Sequence, residues 1–413
     1  MQNSDKYGLV LALLRRSLWG RDEELLQLLP EDTDWSAVWQ ELRDQAVHGL
    51  TEPILEELPL GRRLDSCRRD CIVQQARWHQ VAAAQQQLLE LLEANRIPCV
   101  IIKGMAAGTY YPHPQCRTAG DVDLLVKRAD FDRAAALMET AGYVLENDTW
   151  STAYHNGYRK NGIDFELHRW LGSLSETDEE LISLFEEGID RRVAARTEGC
   201  AFPRLEDRLN GLVLLLHIQQ HLRSGLGLRQ LVDWMMFLND PAGAHWLEEN
   251  RELVRRCGLE KLAVTVTALC QERLGLRTET DWAAQAEPEL CQDLLEYLLE
   301  KGNFGQKQGT EGHMEEVFQD ASNSVRLLRR LQRGGLIHWQ AAREHRLLRP
   351  FAWIYQIGRI LKQRKKWKLN ELQRQKAAGA SQREMLRRLG LGQDQTLSPE
   401  GGHARQVRKN EEK

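Results

Sequence analysis

The chain has 413 residues, 42% hydrophobic and 28% charged, with a formal net charge of −4. That length can bury a large core and suits two or three domains, and the near-neutral balance gives no global reason to expect a nucleic-acid partner. Eight scattered cysteines without a CxxC pair argue against a zinc knuckle or disulfide framework and predict free thiols in a reducing cytoplasm, while no run reaches the ~18 apolar residues of a membrane span.

Residues 5 to about 95 read as helices. Leu9, Leu13 and Leu14, then Leu25, Leu26, Leu28 and Leu29, then Val38, Leu42 and Val47 recur at helical spacing. The run Leu9–Leu14 is short, and its arginines follow it rather than precede it, which argues against a signal peptide. A longer helix is predicted from Leu64 to Ala94, ending at Asn95. The pattern then changes at Ile97-Pro98. Cys99 to Ile102 reads as a short strand, and Gly104 to Tyr111 starts a helix that Pro112-His113-Pro114 stops. A second strand runs from Asp121 to Val126, and a helix from Asp130 to Ala141 closes at Gly142.

Thr152 to Arg159 and Ile163 to Trp170 read as a hairpin around Asn161-Gly162, a strong two-residue turn signal. That turn predicts that Lys160 faces Ile163, Gly157 faces Glu166 and His155 faces His168. Ile163, Phe165 and Leu167 then make an apolar face, and Asp164, Glu166 and His168 a polar one. Helices are expected again from about Glu206, with Leu209 to Leu222 and Leu226 to Leu238 strongly apolar and further patterns between Leu247 and Leu299. A glycine-rich loop spans Gly302 to Gly312, helices resume through Val325 to Leu331 and Trp339 to Leu361, and the polar tail after about Gly390 is expected to be disordered. The fold class is α+β, with a small mixed sheet of four or five strands between helical regions.

The chemistry concentrates on that sheet. Asp121 and Asp123 lie two apart on one strand, so their side chains share a face while Val122 and Leu124 point the other way. Two carboxylates on a rigid strand can hold divalent cations, which phosphoryl transfer needs to offset charge on the transferring group. A third carboxylate is required from a neighbouring strand. Glu166 fits because the hairpin fixes its face, with Asp164 the fallback.

Together these residues resemble the nucleotidyltransferase superfamily that includes DNA polymerase β, and within it a bacterial family of uncharacterised nucleotidyltransferases. The resemblance rests on Ile101-Ile102-Lys103-Gly104, Tyr110-Tyr111-Pro112, Arg117, Gly120 to Val126, Ala141-Gly142-Tyr143 and Phe165-Glu166-Leu167-His168. More loosely it includes Leu215-Leu216-His217, His221 and Leu228 to Asp233. It implies a nucleotidyltransferase core over 96–200, between helical regions at 1–95 and 201–390, with a tail at 391–413. It further implies transfer of a nucleotidyl group from a nucleoside triphosphate to an acceptor. Mg²⁺, or Mn²⁺ in its place, would bind Asp121, Asp123 and Glu166. Most of the superfamily carries a Gly-Ser pair before its paired aspartates to hold the triphosphate. Here Lys103-Gly104 stands instead, as in the smaller family, and a lysine can meet phosphate as a point charge.

Other roles follow from position. Lys103, Gly104 and Arg117 are expected to hold phosphate, although Lys103 can instead pair with an aspartate and Arg117 can orient the carboxylates. His155 and His168 form a cross-strand pair able to bind substrate or carry a proton. His217 and His221 lie four apart on a helix, but Ile218 stands where a zinc-protease motif requires glutamate. Arg229 and Asp233, also four apart, predict an intrahelical ion pair, with His221 or Arg229 as candidates to line the cleft. From Arg359 onward there are 15 Lys/Arg against 6 Asp/Glu, and Lys362, Arg364, Lys365, Lys366 and Lys368 surround Trp367. That cluster suits a solvated helix, RNA or an anionic membrane surface. The alternatives to a cytoplasmic enzyme are a nucleotide-binding regulator without turnover and an adaptor at a membrane surface or on RNA.

Overall fold

The strand Asp121–Val126, buried from its second residue onward, forms the centre of the fold. The computed structural model describes residues 3–20, 33–147, 154–174, 177–278, 280–303, 382–391 and parts of 331–364. The sheet strands are β1 (Cys99–Ile101), β2 (Asp121–Val126), β3 (Val144–Asn147), β4 (His155–Lys160), β5 (Ile163–His168), β6 (Val193–Thr197) and β7 (Cys200–Arg204). Their order is β3-β4-β5-β2-β1-β7-β6. Pairings β2–β5 and β1–β7 are parallel and the other four antiparallel, so the sheet is mixed. It has seven strands where four or five were expected. The additions are β3, β6 and β7, which lie toward its two edges.

The hairpin register is as its turn predicted: Lys160 opposes Ile163, Gly157 opposes Glu166 and His155 opposes His168. Asn161 and Gly162 both take positive φ, +52° and +76°, as a two-residue turn matched to strand twist requires.

Helices cover both faces of the sheet. Val122, Leu124 and Val126 of β2, with Ile163, Phe165 and Leu167 of β5, point to the side of α3 (Leu64–Ala94) and α5 (Arg128–Thr140). Trp78, Leu88 and Leu92 of α3 and Phe131 and Met138 of α5 complete that core. On the opposite face Val100 and Leu125 join a larger core built by both ends of the chain. Its helices are α1 (Asn3–Trp19), α2 (Trp35–Asp44), α6 (Glu179–Asp190), α7 (Asp207–Ser224), α8 (Leu228–Asn239), α11 (Glu260–Leu274) and α12 (Pro288–Lys301). Between β1 and β2 lies the five-residue α4 (Gly104–Gly108), and α9 (Trp246–Glu249) and α10 (Arg251–Arg256) are single turns before α11. Near the C-terminus α13 spans Ala352–Arg364.

The N-terminal and C-terminal helices are bonded directly. Trp19 Nε1 donates to the Leu274 carbonyl at 2.7 Å. Gln45 is fully buried, donates to Glu41 and to the Leu298 carbonyl, and accepts from the Leu228 N–H at 3.0 Å. Such a residue satisfies the first turn of α8 at a distance, because helix N-termini leave N–H groups without intrahelical partners. All eight cysteines are free thiols, and among the described residues no helix is long and apolar enough to cross a membrane. The predicted elements at Leu25–Leu29 and Val325–Arg330, most of the loop from Gly302 to Gly312, the basic cluster Lys365–Lys368 and the tail from 392 lie outside the described residues.

Candidate active site

The carboxylates converge because two strands run parallel in register. Asp123 pairs with Glu166 and Asp121 with Asp164 across β2 and β5. Pleating sends Asp121, Asp123, Glu166 and His168 to the face opposite α3 and α5. Asp123 is buried and Asp121 and Glu166 are half-buried. Together with Lys103, Gly104, Arg117, Ala119, Gly120, His217, Gln220, His221 and Arg229 these three acids line a cleft of about 70 Å³. That is room for a few waters or a phosphate-sized group.

Lys103 enters between the acids. Its Nζ stands 2.9 Å from Asp123 Oδ1 and 3.9 Å from Glu166 Oε2, so of its two expected roles the pairing with an aspartate is present. Its backbone takes φ +53° and ψ −131°, a conformation that costs a non-glycine residue of order 1–3 kcal/mol. Strain of this kind persists where the surroundings over-determine it, and here the chain must turn sharply from β1 into α4. The ammonium marks a place where a positive charge is held by carboxylate oxygens. Oxygen donors of that kind suit a hard divalent cation, so the residues present fit the metal that the sequence implies.

His168 is fully buried, with Nε2 at 3.0 Å from Asp123 Oδ1 and 3.1 Å from Glu166 Oε2. His155 Nε2 lies 3.7 Å from Glu166 Oε1. Tyr154 packs on both rings, with centroids 4.5 Å from His155 and 6.0 Å from His168.

Charge is distributed unevenly over these groups. Burial, reinforced by Asp123 and Glu166, pushes Asp121 up to about 7. For Asp123 burial acts the same way but is overcome by Lys103 and His168, which hold its carboxyl well below the usual carboxylate range. Glu166 is lowered too, its burial outweighed by the His168 bond and the charge of Lys103. Burial lowers His155 to about 4 and, helped by Lys103 and Arg229, His221 to about 3. The three carboxylates therefore differ in proton affinity although they share one face.

Arg117 reaches the cleft from the loop after a short 3₁₀ turn at Pro114–Cys116. It is 1% exposed. Its Nε and one Nη donate to the two oxygens of Asp233 at 2.6 and 2.7 Å, and Tyr111 Oη donates to the same carboxylate at 2.7 Å. The predicted intrahelical pair between Arg229 and Asp233 is thus replaced by a longer-range one. The fork of Arg117 meets Asp233 in bidentate geometry, while Arg229 faces the cleft and donates to the Thr118 carbonyl at 3.4 Å. Burial and the neighbouring Arg117 lower the pKa of Arg229. Asp164, the fallback third acid, stands 3.5 Å from Arg159 and is absent from the cleft lining.

Sequence reasoning placed Lys103, Gly104, Arg117, Asp121, Asp123, Glu166, His155 and His168 near one another, and the sheet brings them to one region. It missed Gln220 and His217 on the opposite wall, Tyr154 against the histidines, and Asp233 as the partner of Arg117. A signal existed for His217 and Gln220: with His221 they make a polar stripe at helical spacing directly after the apolar run Leu212–Leu216 of α7.

A family model described as an uncharacterised nucleotidyltransferase matches residues 31–275, more than half of the chain and all seven strands. No curated protein and no solved structure matches.

Proposed function

Because the chain belongs to the uncharacterised nucleotidyltransferase family, we propose that it moves a nucleotidyl group from a nucleoside triphosphate to an acceptor hydroxyl or similar nucleophile in a reaction dependent on a divalent metal. The observation that carries this reading is the in-register pairing of Asp123 with Glu166 across parallel strands, with Asp121 on the same face. Asp121, Asp123 and Glu166 would hold Mg²⁺, or Mn²⁺ in its place. A bound dication supplies charge compensation at the transferring phosphoryl group and lowers the pKa of a coordinated nucleophile.

The chain's own residues do the rest. Lys103 would bind phosphate as a point charge beside the carboxylates, with Gly104 adjoining it. Arg229 presents a second cation to the same cleft as Lys103. Arg117, committed to Asp233, would fix the loop that leads into β2 and so orient Asp121. Glu166 would help to deprotonate the acceptor.

Incubating the protein with triphosphates labelled at the α-phosphate, together with a cell extract, tests the reading. Transfer of label that requires Mg²⁺ or Mn²⁺ and is lost in Asp123→Ala supports it. Absence of transfer from all four labelled nucleotides, with either metal, overturns it.

A further inference from the structure

Strands β4 and β5 bring two imidazoles and a carboxylate to one point beside the acid pair. His155 and His168 are direct cross-strand partners, and their ring centroids lie 5.2 Å apart. Glu166 precedes His168 by two residues and shares its face. The residue opposite Glu166 is Gly157, which has no side chain to fill the space between the two imidazoles. Glu166 occupies that space: Oε1 is 3.7 Å from His155 Nε2, and Oε2 is 3.1 Å from His168 Nε2. One atom from each of the three residues falls within 4.8 Å of the others. Ligand atoms each about 2.1 Å from one ion stand about 3.4 Å apart in tetrahedral geometry, and the two contacts of Glu166, 3.7 Å through Oε1 and 3.1 Å through Oε2, bracket that spacing.

A second observation concerns His168. Its single Nε2 faces two carboxylate oxygens, those of Asp123 and Glu166, at 3.0 and 3.1 Å. One ring N–H cannot align with both, whereas one dication can be shared by the nitrogen and both oxygens. Both histidines are buried, at 5% and 0% exposure, and Tyr154 packs on both rings, so their positions are fixed by the fold. Donor chemistry then selects the ion. Mg²⁺ prefers oxygen ligands and retains water, whereas first-row transition dications accept imidazole more readily, Mn²⁺ least strongly among them and Co²⁺ more so.

We propose that His155, Glu166 and His168, with Asp123 alongside, form an imidazole–carboxylate site that binds a transition-metal dication such as Mn²⁺ or Co²⁺ in preference to Mg²⁺. The site's part in catalysis rests on the transfer reading above; its metal binding does not. Glu166 would be shared between this ion and the one at Asp121 and Asp123.

Full-length protein, stripped with chelator, is titrated with Mn²⁺ and examined by pulsed electron paramagnetic resonance for ¹⁴N coupling. The expected result is imidazole nitrogen bound to Mn²⁺, with Mg²⁺ displacing it only at more than about 100-fold excess. His155→Ala, checked for folding by circular dichroism, should weaken Mn²⁺ binding at least about tenfold. Wild-type Mn²⁺ bound through oxygen alone, or displaced by equimolar Mg²⁺, overturns the proposal without recourse to a variant, as does unchanged affinity in folded His155→Ala. Label transfer with nitrogen-free coordination would sink this inference and leave nucleotidyl transfer standing. Nitrogen-bound metal without transfer from any nucleotide would support the site and sink the transfer reading.

Discussion

Arg117 and Asp233 are 116 residues apart in the chain and meet as fork on carboxylate, at 2.6 and 2.7 Å, with both side chains almost wholly buried. The bond ties the loop before β2 to α8. Removing one partner of a buried pair leaves the other charged and without compensation, which costs about 3–5 kcal/mol. Asp233→Ala is therefore expected to lower unfolding free energy by about that amount in urea titrations. Arg117→Lys should lose most of it too, because an ammonium cannot reproduce the fork.

Asp121 and Asp123 should respond oppositely to neutralisation. Asp121 sits at about 7, above its ordinary value near 3.8. Its contribution to the stability of metal-free protein is therefore complete below about pH 4 and lost as pH rises through 7. At pH 8 Asp121→Asn should stabilise the metal-free protein by about 1–3 kcal/mol. Asp123→Asn should destabilise it, since Lys103 and His168 lose their carboxylate. Both should lower nucleotidyl transfer at least ~100-fold. Thermal melts in chelator, set beside turnover, separate the two effects.

Acid should unfold the protein partly through His48. Burial lowers this imidazole to about 4, beside the Trp39 ring at 6.0 Å. The unfolded chain takes up a proton near pH 6.5, while the folded one resists until about 4. The stability is thus present above 6.5 and lost as pH falls through that window, up to about 3 kcal/mol. In His48→Gln the dependence of urea midpoint on pH between 6.5 and 4 should be shallower than in the parent.

Gly211 lies within α7 where two aromatic rings close on the helix. A Cβ there would stand 2.6 Å from Phe237 Cε1 and 2.6 Å from Trp246 Cε2. These rings are themselves locked edge-on at 5.9 Å, so neither yields easily. Gly211→Ala is expected to cost about 1–3 kcal/mol by overpacking, despite alanine's better helix propensity. A melting temperature at or above the parent's would show that the rings move.

Legibility followed the range of the signals. Asn161-Gly162 set the hairpin and its register, because turn geometry determines pairing within a few residues. Asp121–Val126 was readable for its alternation, and Leu64–Ala94 for its sustained pattern. By contrast β7 contains Pro203, which a strand pattern discounts, and Val193 of β6 and Val144 of β3 are 38% and 65% exposed, so no buried face announced those strands. For Arg229 and Asp233 the local spacing was misleading. A four-residue separation permits an ion pair, but a buried arginine on another element offers the carboxylate a fork, and tertiary geometry prevailed.

Gln45 binds Leu228 and Leu298, and the helix that starts at Leu228 is made 183 residues later. At about 5–20 residues per second, a ribosome needs roughly 10–40 s to supply it. Throughout that interval the side of α1 that α11 later covers stays open, although α2 and the 3₁₀ segment His48–Glu57 can already pack on the helix. Closure of this helical region thus waits on segments synthesised well after it, and its folding should depend on holding chaperones until α8 and α11 emerge.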